Sequence, residues 1–147
     1  MVATVTLGSP IAMAASTDWP TYHRDYTRAG NDTLTPAFSG VSPQWTSIHL
    51  DNNAWNEDIN AEPLVVGSRV IVATVANSVY SLDATTGAVQ WSINVGTPAR
   101  NADVNCGIQD PVGMQSTPAV DTTNGIIYAV ALVKTGGTPA KPASVST

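Results

Sequence analysis

A chain of 147 residues that is 43% hydrophobic holds enough apolar mass for one modest core and too little for two, so it reads as one domain or part of one. Only 12% of its residues are charged, the net charge is −5, and the basic residues Arg24, Arg28, Arg69, Arg100, Lys134 and Lys141 are scattered, which excludes the basic patch of a nucleic-acid binder. A single cysteine, Cys106, excludes an internal disulfide, and no run approaches the roughly 18 consecutive apolar residues of a membrane span.

In chain order, residues 1–16 come first: MVATVTLGSPIAMAAS is uncharged and weakly apolar, and Ala12-Met13-Ala14 fits a secretory cleavage site. It lacks a basic n-region, and Gly8, Ser9 and Pro10 interrupt its apolar stretch, so it reads as a signal-peptide remnant or a disordered leader outside the fold. The first of these implies an exported protein, whether periplasmic, outer-membrane-associated or extracellular. Residues 17–43 form an N-terminal leader segment. Beyond residue 35, Pro or Gly punctuates almost every window long enough for three helical turns, and short β-type runs recur instead. Strands are expected at Gln44 to Leu50, Pro63 to Val66, Arg69 to Val75, Val79 to Leu82, Ala88 to Val95, Thr117 to Val120 and Ile126 to Leu132. The near-continuous apolar runs Val70 to Ala73 and Ile126 to Ala129 suit strands covered on both faces. The tail, residues 134–147, is Gly/Pro/Ser-rich and is expected to be a loop leading to no further strand.

These strands repeat. Gln44-Trp45 returns as Gln90-Trp91, and Glu62-Pro63-Leu64-Val65 followed by Val70 to Ala73 returns as Thr117-Pro118-Ala119-Val120 followed by Ile126 to Ala129. The second return is one residue longer, and the difference falls in the turn, around Gly67-Ser68 in the first and within Asp121 to Gly125 in the second. Periods of roughly 40 to 50 residues, each holding four short strands, are the signature of β-propeller blades. One complete unit runs from Ala61 to Val95, preceded by the last strand of another and followed by the first half of a third. Residues 44–133 are thus about two blades, one complete and two partial. The expected fold is all-β, a partial β-propeller of four-stranded antiparallel blades, with the chain as the N-terminal fragment of a longer ring. Open blade edges would invite self-association.

The stretch SLDATTGAVQW, Ser81 to Trp91, joins the last two strands of the complete unit. Asp83 at the start of the connection can accept the backbone N–H groups of Thr85, Thr86 or Gly87 in an Asx-type turn. Gly87 supplies the positive φ such a turn uses, and Thr86 can add a hydroxyl bond. Trp91 lies four residues into the returning strand, where its ring can pack against a neighbouring blade, and Trp45 holds the equivalent position one repeat earlier. Asp83, Thr86, Gly87, Trp91 and Trp45 therefore read as a structural docking motif between blades.

This motif resembles the tryptophan-docking repeat of pyrroloquinoline-quinone (PQQ)-like propellers, Ala-x-Asp-x-x-Thr-Gly-x-x-x-Trp, with Ser81 in the place of the Ala. The leader Thr17 to Asn31 is similar to the Trp-Pro-x-Tyr…Gly segment that precedes the first blade in such proteins, and Cys106 to Asp121 is similar to a further stretch of the family. The likeness covers Asp18 to Val133. It implies one of two functions. The first is a non-catalytic exported propeller, a binding or scaffold module offering edges and loops to protein or carbohydrate, as in the outer-membrane assembly scaffolds. The alternative is a fragment of a PQQ- and calcium-dependent quinoprotein dehydrogenase oxidising an alcohol or a sugar. The dehydrogenases carry two adjacent cysteines after the first docking repeat, whereas Asn105-Cys106-Gly107 stands here. No cofactor is evident, and no quinone or calcium ligand is carried over.

The remaining candidates have plainer readings beside their chemical ones. Asn101 to Asn105 alternates oxygen ligands like the start of a calcium loop, but glycine comes at the seventh place and Val112 stands at the twelfth, which suits a polar inter-blade loop. Asp58-Asn60-Glu62 makes a similar pattern and runs into Pro63. His23 and His49 lack partners at metal-ligand spacing and are read as a packing and a solvent-facing residue. Cys106 reads equally as a lone buried thiol or a reactive one. Asn31-Asp32-Thr33 matches an N-glycosylation acceptor. Trp19 in the leader and Trp55 in the loop DNNAWNEDIN are read as packing rather than sugar-stacking residues. No nucleophile has a paired base, so neither a reaction nor a catalytic residue is assigned.

Overall fold

The computed structural model describes residues 5–6, 17–32, 39–52, 58–104, 109–135 and 138–143. In chain order the elements are β1 (Val5–Thr6), a 3-10 turn at Leu50–Asn52, β2 (Leu64–Val66), β3 (Arg69–Ala73), β4 (Ser78–Asp83), β5 (Val89–Asn94), a single helical turn α1 (Asn101–Val104), β6 (Ala119–Asp121), β7 (Ile126–Tyr128), β8 (Ala131–Thr135) and β9 (Thr138–Ala143). The chain is all-β in class. Its centre is a four-stranded antiparallel sheet of order β2-β3-β4-β5, each strand bonded to the next in sequence.

The run Val70 to Ala73 is apolar throughout because both faces of this sheet are covered. Leu64, Ile71, Ala73 and Val79 face a cluster completed by Met114, Val120, Ile127 and Ala131 of the following unit. Val72 and Leu82 face the other way, against Leu50, with Trp45, Val70 and Tyr80 at the margin. Ile71 and Val72 thus support opposite faces, and each fully buried aliphatic side chain of this size contributes about 1.5–3 kcal/mol. The central sheet lies between residues 44–52 on one side and β6, β7 and β8 on the other. The β2–β3 turn uses Gly67 at φ 57, and the β3–β4 turn uses Asn77 at φ 64.

Several expectations need correction. Gln44 to Leu50 is not a strand: among the described residues no strand lies alongside to share a ladder, and only Trp45, Ser47 and Leu50 are drawn in from solvent. Arg69 to Val75 ends as a strand at Ala73, because Thr74 to Ser78 closes a turn with Thr74 N–H donating to Ser78 O at 2.9 Å. Ile126 to Leu132 is broken in two, with β7 and β8 separated by Ala129 and the half-exposed Val130.

The tail departs further from its reading. Rather than leading to no strand, it supplies β9, which pairs antiparallel with β8 from Ala131↔Ala143 to Thr135↔Thr138. Pro139 and Pro142 are tolerated there because a two-stranded ribbon has only edge strands. From the leader that was to stay outside the fold, β1 pairs with β7, Val5 opposite Ile127 and Thr6 opposite Ile126. Among the described residues no helix is long and apolar enough to cross a membrane.

Candidate functional site

Asp83 ends β4, and its carboxylate organises the connection to β5. Asp83 Oδ1 accepts the N–H of Thr85 at 2.9 Å, the N–H of Thr86 at 2.9 Å and the Thr86 hydroxyl at 3.0 Å. The backbone closes the turn twice, with Gly87 N–H donating to Asp83 O and Asp83 N–H donating to Ala88 O, both at 2.8 Å. Gly87 adopts φ 72. The two backbone donors of Thr86 and Thr85, and then the Thr86 hydroxyl, hold the Asp83 carboxyl below its usual range, so it is ionised at neutral pH.

Onto this turn comes Trp45, from the segment before the central sheet. Its indole Nε1 donates to Ala84 O at 2.9 Å. Its ring lies so close to Gly87 that a Cβ there would fall 2.3 Å from Trp45 Cε3. Gly87 is therefore required twice, for its positive φ and for the close approach of the indole. Trp91, the tryptophan within the motif, is placed elsewhere: it pairs with Ser81 across β4–β5 and packs, partly buried, against the cluster containing Met114, Val120 and Ile127. The turn between β4 and β5 is thus filled by Trp45 and not by Trp91. Near this contact, Tyr80 OH donates to Asp51 Oδ1 at 2.8 Å and accepts the Asp51 N–H at 2.8 Å. Burial first, and then the bond to Asp51, pushes the Tyr80 phenol above its usual value.

A second constellation was not legible as a site. Trp19 pairs with Val65 beside β2, its N–H donating to Val65 O at 2.6 Å and its O accepting the Val65 N–H at 3.1 Å. Pro20 O accepts the N–H of Val120 at 2.8 Å. Residues 19 and 20 therefore bridge β2 and β6. Glu62 ties the same region together: Oε1 accepts Trp19 Nε1–H at 2.8 Å, Oε2 accepts the His23 N–H at 3.2 Å, and the Glu62 N–H donates to Thr117 Oγ1 at 2.9 Å. Asp18, buried, accepts the Gly67 N–H at 2.9 Å. His23 stacks on Tyr22, and Arg24 pairs with Asp32 at 2.9 Å. Trp19 is thus a packing residue.

The turn between β6 and β7 proves to be a sister of the docking turn. Asp121 Oδ1 accepts the N–H groups of Thr123 at 3.0 Å and Asn124 at 3.1 Å, and Gly125 N–H donates to Asp121 O at 2.8 Å with Gly125 at φ 68. Asn124 Nδ2 takes the place of the Thr86 hydroxyl and donates to Asp121 Oδ2 at 2.7 Å. That bond first, and then the Asn124 N–H, lowers the Asp121 carboxyl. The signal was present as Asp-x-Thr-x-Gly at both 83–87 and 121–125. It was obscured because the two turns join different strand pairs of the repeat.

Between the leader and this sister turn lies a cleft of about 390 Å³, lined by Arg24, Asp25, Tyr26, Asp121, Thr123 and Tyr128 among others. Asp25 is held low chiefly by the Thr27 hydroxyl, which donates to Oδ1 at 2.6 Å. The oxygen-rich stretch from Asn101 is a helical turn whose Asp103 caps Arg100 N–H at 2.9 Å and pairs with Lys134 at 2.8 Å. Among the described residues no three His, Cys, Asp or Glu side chains converge as a metal site would require. Cys106 and Trp55 lie outside the described residues.

Comparison with protein-family models gave no match, and comparison with curated proteins gave none either.

Proposed function

We propose that the chain builds consecutive blades at the N-terminal end of an exported PQQ-like β-propeller that serves as a binding or scaffold module. The observation that carries this reading is the seating of Trp45 on Gly87, with its indole N–H on Ala84 O: a tryptophan of one repeat fastens onto the Asp-Thr-Gly turn of the next. Fasteners between successive four-stranded sheets are what a ring of blades needs, since each blade touches only its neighbours. The sequential order β2-β3-β4-β5 supports the same reading. Support for binding comes from β5, whose outer edge is unpaired among the described residues and leaves Val89 and Ile93 exposed without charge or proline. Such an edge accepts a further strand, from a partner or from another copy.

Two measurements test this in sequence. Reading the open frame beyond codon 147 is expected to give further Asp-x-x-Thr-Gly-x-x-x-Trp units; a frame that closes without them overturns the ring. The product of the complete frame is then titrated with PQQ and calcium. The module reading expects no stoichiometric change in visible absorbance. A stoichiometric change, with dye reduction that depends on an alcohol or a sugar, replaces it with the quinoprotein dehydrogenase.

A further inference from the structure

Asn124-Gly125 is the single Asn-Gly step in the chain, and it sits in the sister turn. An asparagine followed by a residue without a side chain carries a chemistry of its own, because the next backbone nitrogen can approach the side-chain carbonyl carbon unhindered. In the closed turn both reacting groups are engaged. Gly125 N–H donates to Asp121 O at 2.8 Å, and Asn124 Nδ2 donates to Asp121 Oδ2 at 2.7 Å. Asn124 is exposed, so water has access to it.

We propose that Asn124 is a covalent modification site guarded by its own turn. When the turn opens, Gly125 N bonds to Asn124 Cγ, the Cγ–Nδ2 bond breaks, and the amide nitrogen leaves as ammonia. Water then opens the cyclic imide to aspartate or isoaspartate. The sequence involves no oxidation or reduction, and water is the only co-reactant.

The product cannot restore the turn. In the aspartate product a carboxylate stands where Nδ2 was a donor, facing Asp121 Oδ2, which is itself held ionised, and in the isoaspartate product the backbone itself is rerouted through Cγ and leaves a free carboxylate in the same turn. Two like charges replace a hydrogen bond, and the loss is one-way. Val120 immediately precedes Asp121, and its N–H holds Pro20 O. What loosens is therefore the grip of the leader on β6. The docking turn supplies the inert counterpart, since Thr86 fills the corresponding position with a hydroxyl bond to Asp83 Oδ1. The inference uses only these residues and is independent of the propeller reading.

The test incubates the whole chain in warm, mildly alkaline buffer and follows conversion at Asn124 by peptide mapping, with hydrogen exchange at the Val120 amide. Native protein is expected to convert slowly, and urea-unfolded protein and native Asp121→Ala on the order of tenfold faster or more, as for a reaction gated by local opening. The Asn124→Thr variant is expected to show no change at that position. In the converted fraction, Val120 protection is expected to fall. Equal rates in native and unfolded protein overturn the guard, and undiminished Val120 protection in the converted fraction overturns the loosening. If Asp121→Ala does not fold, native against unfolded wild type decides the first point alone.

Discussion

Glu62 and Thr117 stand 55 residues apart and touch: the Glu62 N–H donates to Thr117 Oγ1 at 2.9 Å. The same separation recurs where Asn60 Nδ2 donates to Gln115 Oε1 and where Asn77 Nδ2 donates to Leu132 O at 3.0 Å. These bonds join the residues leading into β2 and the β3–β4 turn to the segment that carries β6 to β8.

Gly87 and Gly125 share a positive φ, and Gly87 also lies under the Trp45 indole. Gly125→Ala is expected to cost about 1–2 kcal/mol, the price of a left-handed backbone with a Cβ. Gly87→Ala adds a displaced tryptophan and is expected to cost about 2–4 kcal/mol. Urea melts of the two variants compare them directly; equal losses would show that the Trp45 contact contributes nothing.

Trp45 offers a graded series. Trp45→Phe keeps an aromatic ring and removes the bond to Ala84 O, at an expected cost of about 1 kcal/mol. Trp45→Ala removes the packing as well and is expected to cost about 2–4 kcal/mol. Ile48→Ala, three residues on and 67% exposed, is expected to stay within about 0.5 kcal/mol. A Trp45→Ala variant as stable as Ile48→Ala would remove the fastener.

The acid limb of stability follows from the two turn carboxylates. Asp83 and Asp121 have folded pKa values below the unfolded aspartate value of about 3.9. Their contribution is therefore complete above that value and is lost as pH falls through the lower folded pKa. Urea midpoints are expected to hold from neutral pH to about pH 5 and to drop below about pH 4. The Asp83→Asn/Asp121→Asn double variant retains the Oδ1 acceptors and should lose part of that drop. An unchanged acid limb in the double variant would assign it to other groups.

Asn77 is fully buried at φ 64 and donates to both Gly96 O and Leu132 O. Asn77→Gly keeps the backbone unstrained and loses the side-chain bonds, at about 1–3 kcal/mol. Asn77→Ala loses them and strains the turn, adding about 1 kcal/mol more. If thermal or urea melts reverse this order, the positive φ is not what selects the residue.

The central sheet was legible because its strands are short, apolar and punctuated: β2 to β5 fall within two residues of the expected spans, and the Asp83 turn follows from residue types that bond locally. What periodicity cannot report is a partner distant in sequence. Gln44 to Leu50 has strand-like residues but no adjacent ladder, and it ends in the 3-10 turn at Leu50–Asn52. Conversely, Thr138–Ala143 contains two prolines and still pairs with β8, because both strands of a two-stranded ribbon are edges and tolerate proline. Trp45 and Trp91 could be matched as equivalents from sequence, yet which surface each one meets is set by contacts distant in sequence. Glu62 stood out in the sequence only as a match to Thr117 and as the end of an oxygen-rich run, because its partners Trp19, His23 and Thr117 are each far along the chain.

The leader's grip also sets an order of events during synthesis. Trp19 and Pro20 leave the ribosome early, but Val65 follows Trp19 by 46 residues and Val120 follows Pro20 by 100. Closing loops of such length is entropically costly before the distant contacts form. The nascent central sheet can form its hairpins as each strand emerges, whereas the Pro20–Val120 bond must wait until β6 has been made. The junction between Pro20 and β6 is therefore the last of these contacts to close.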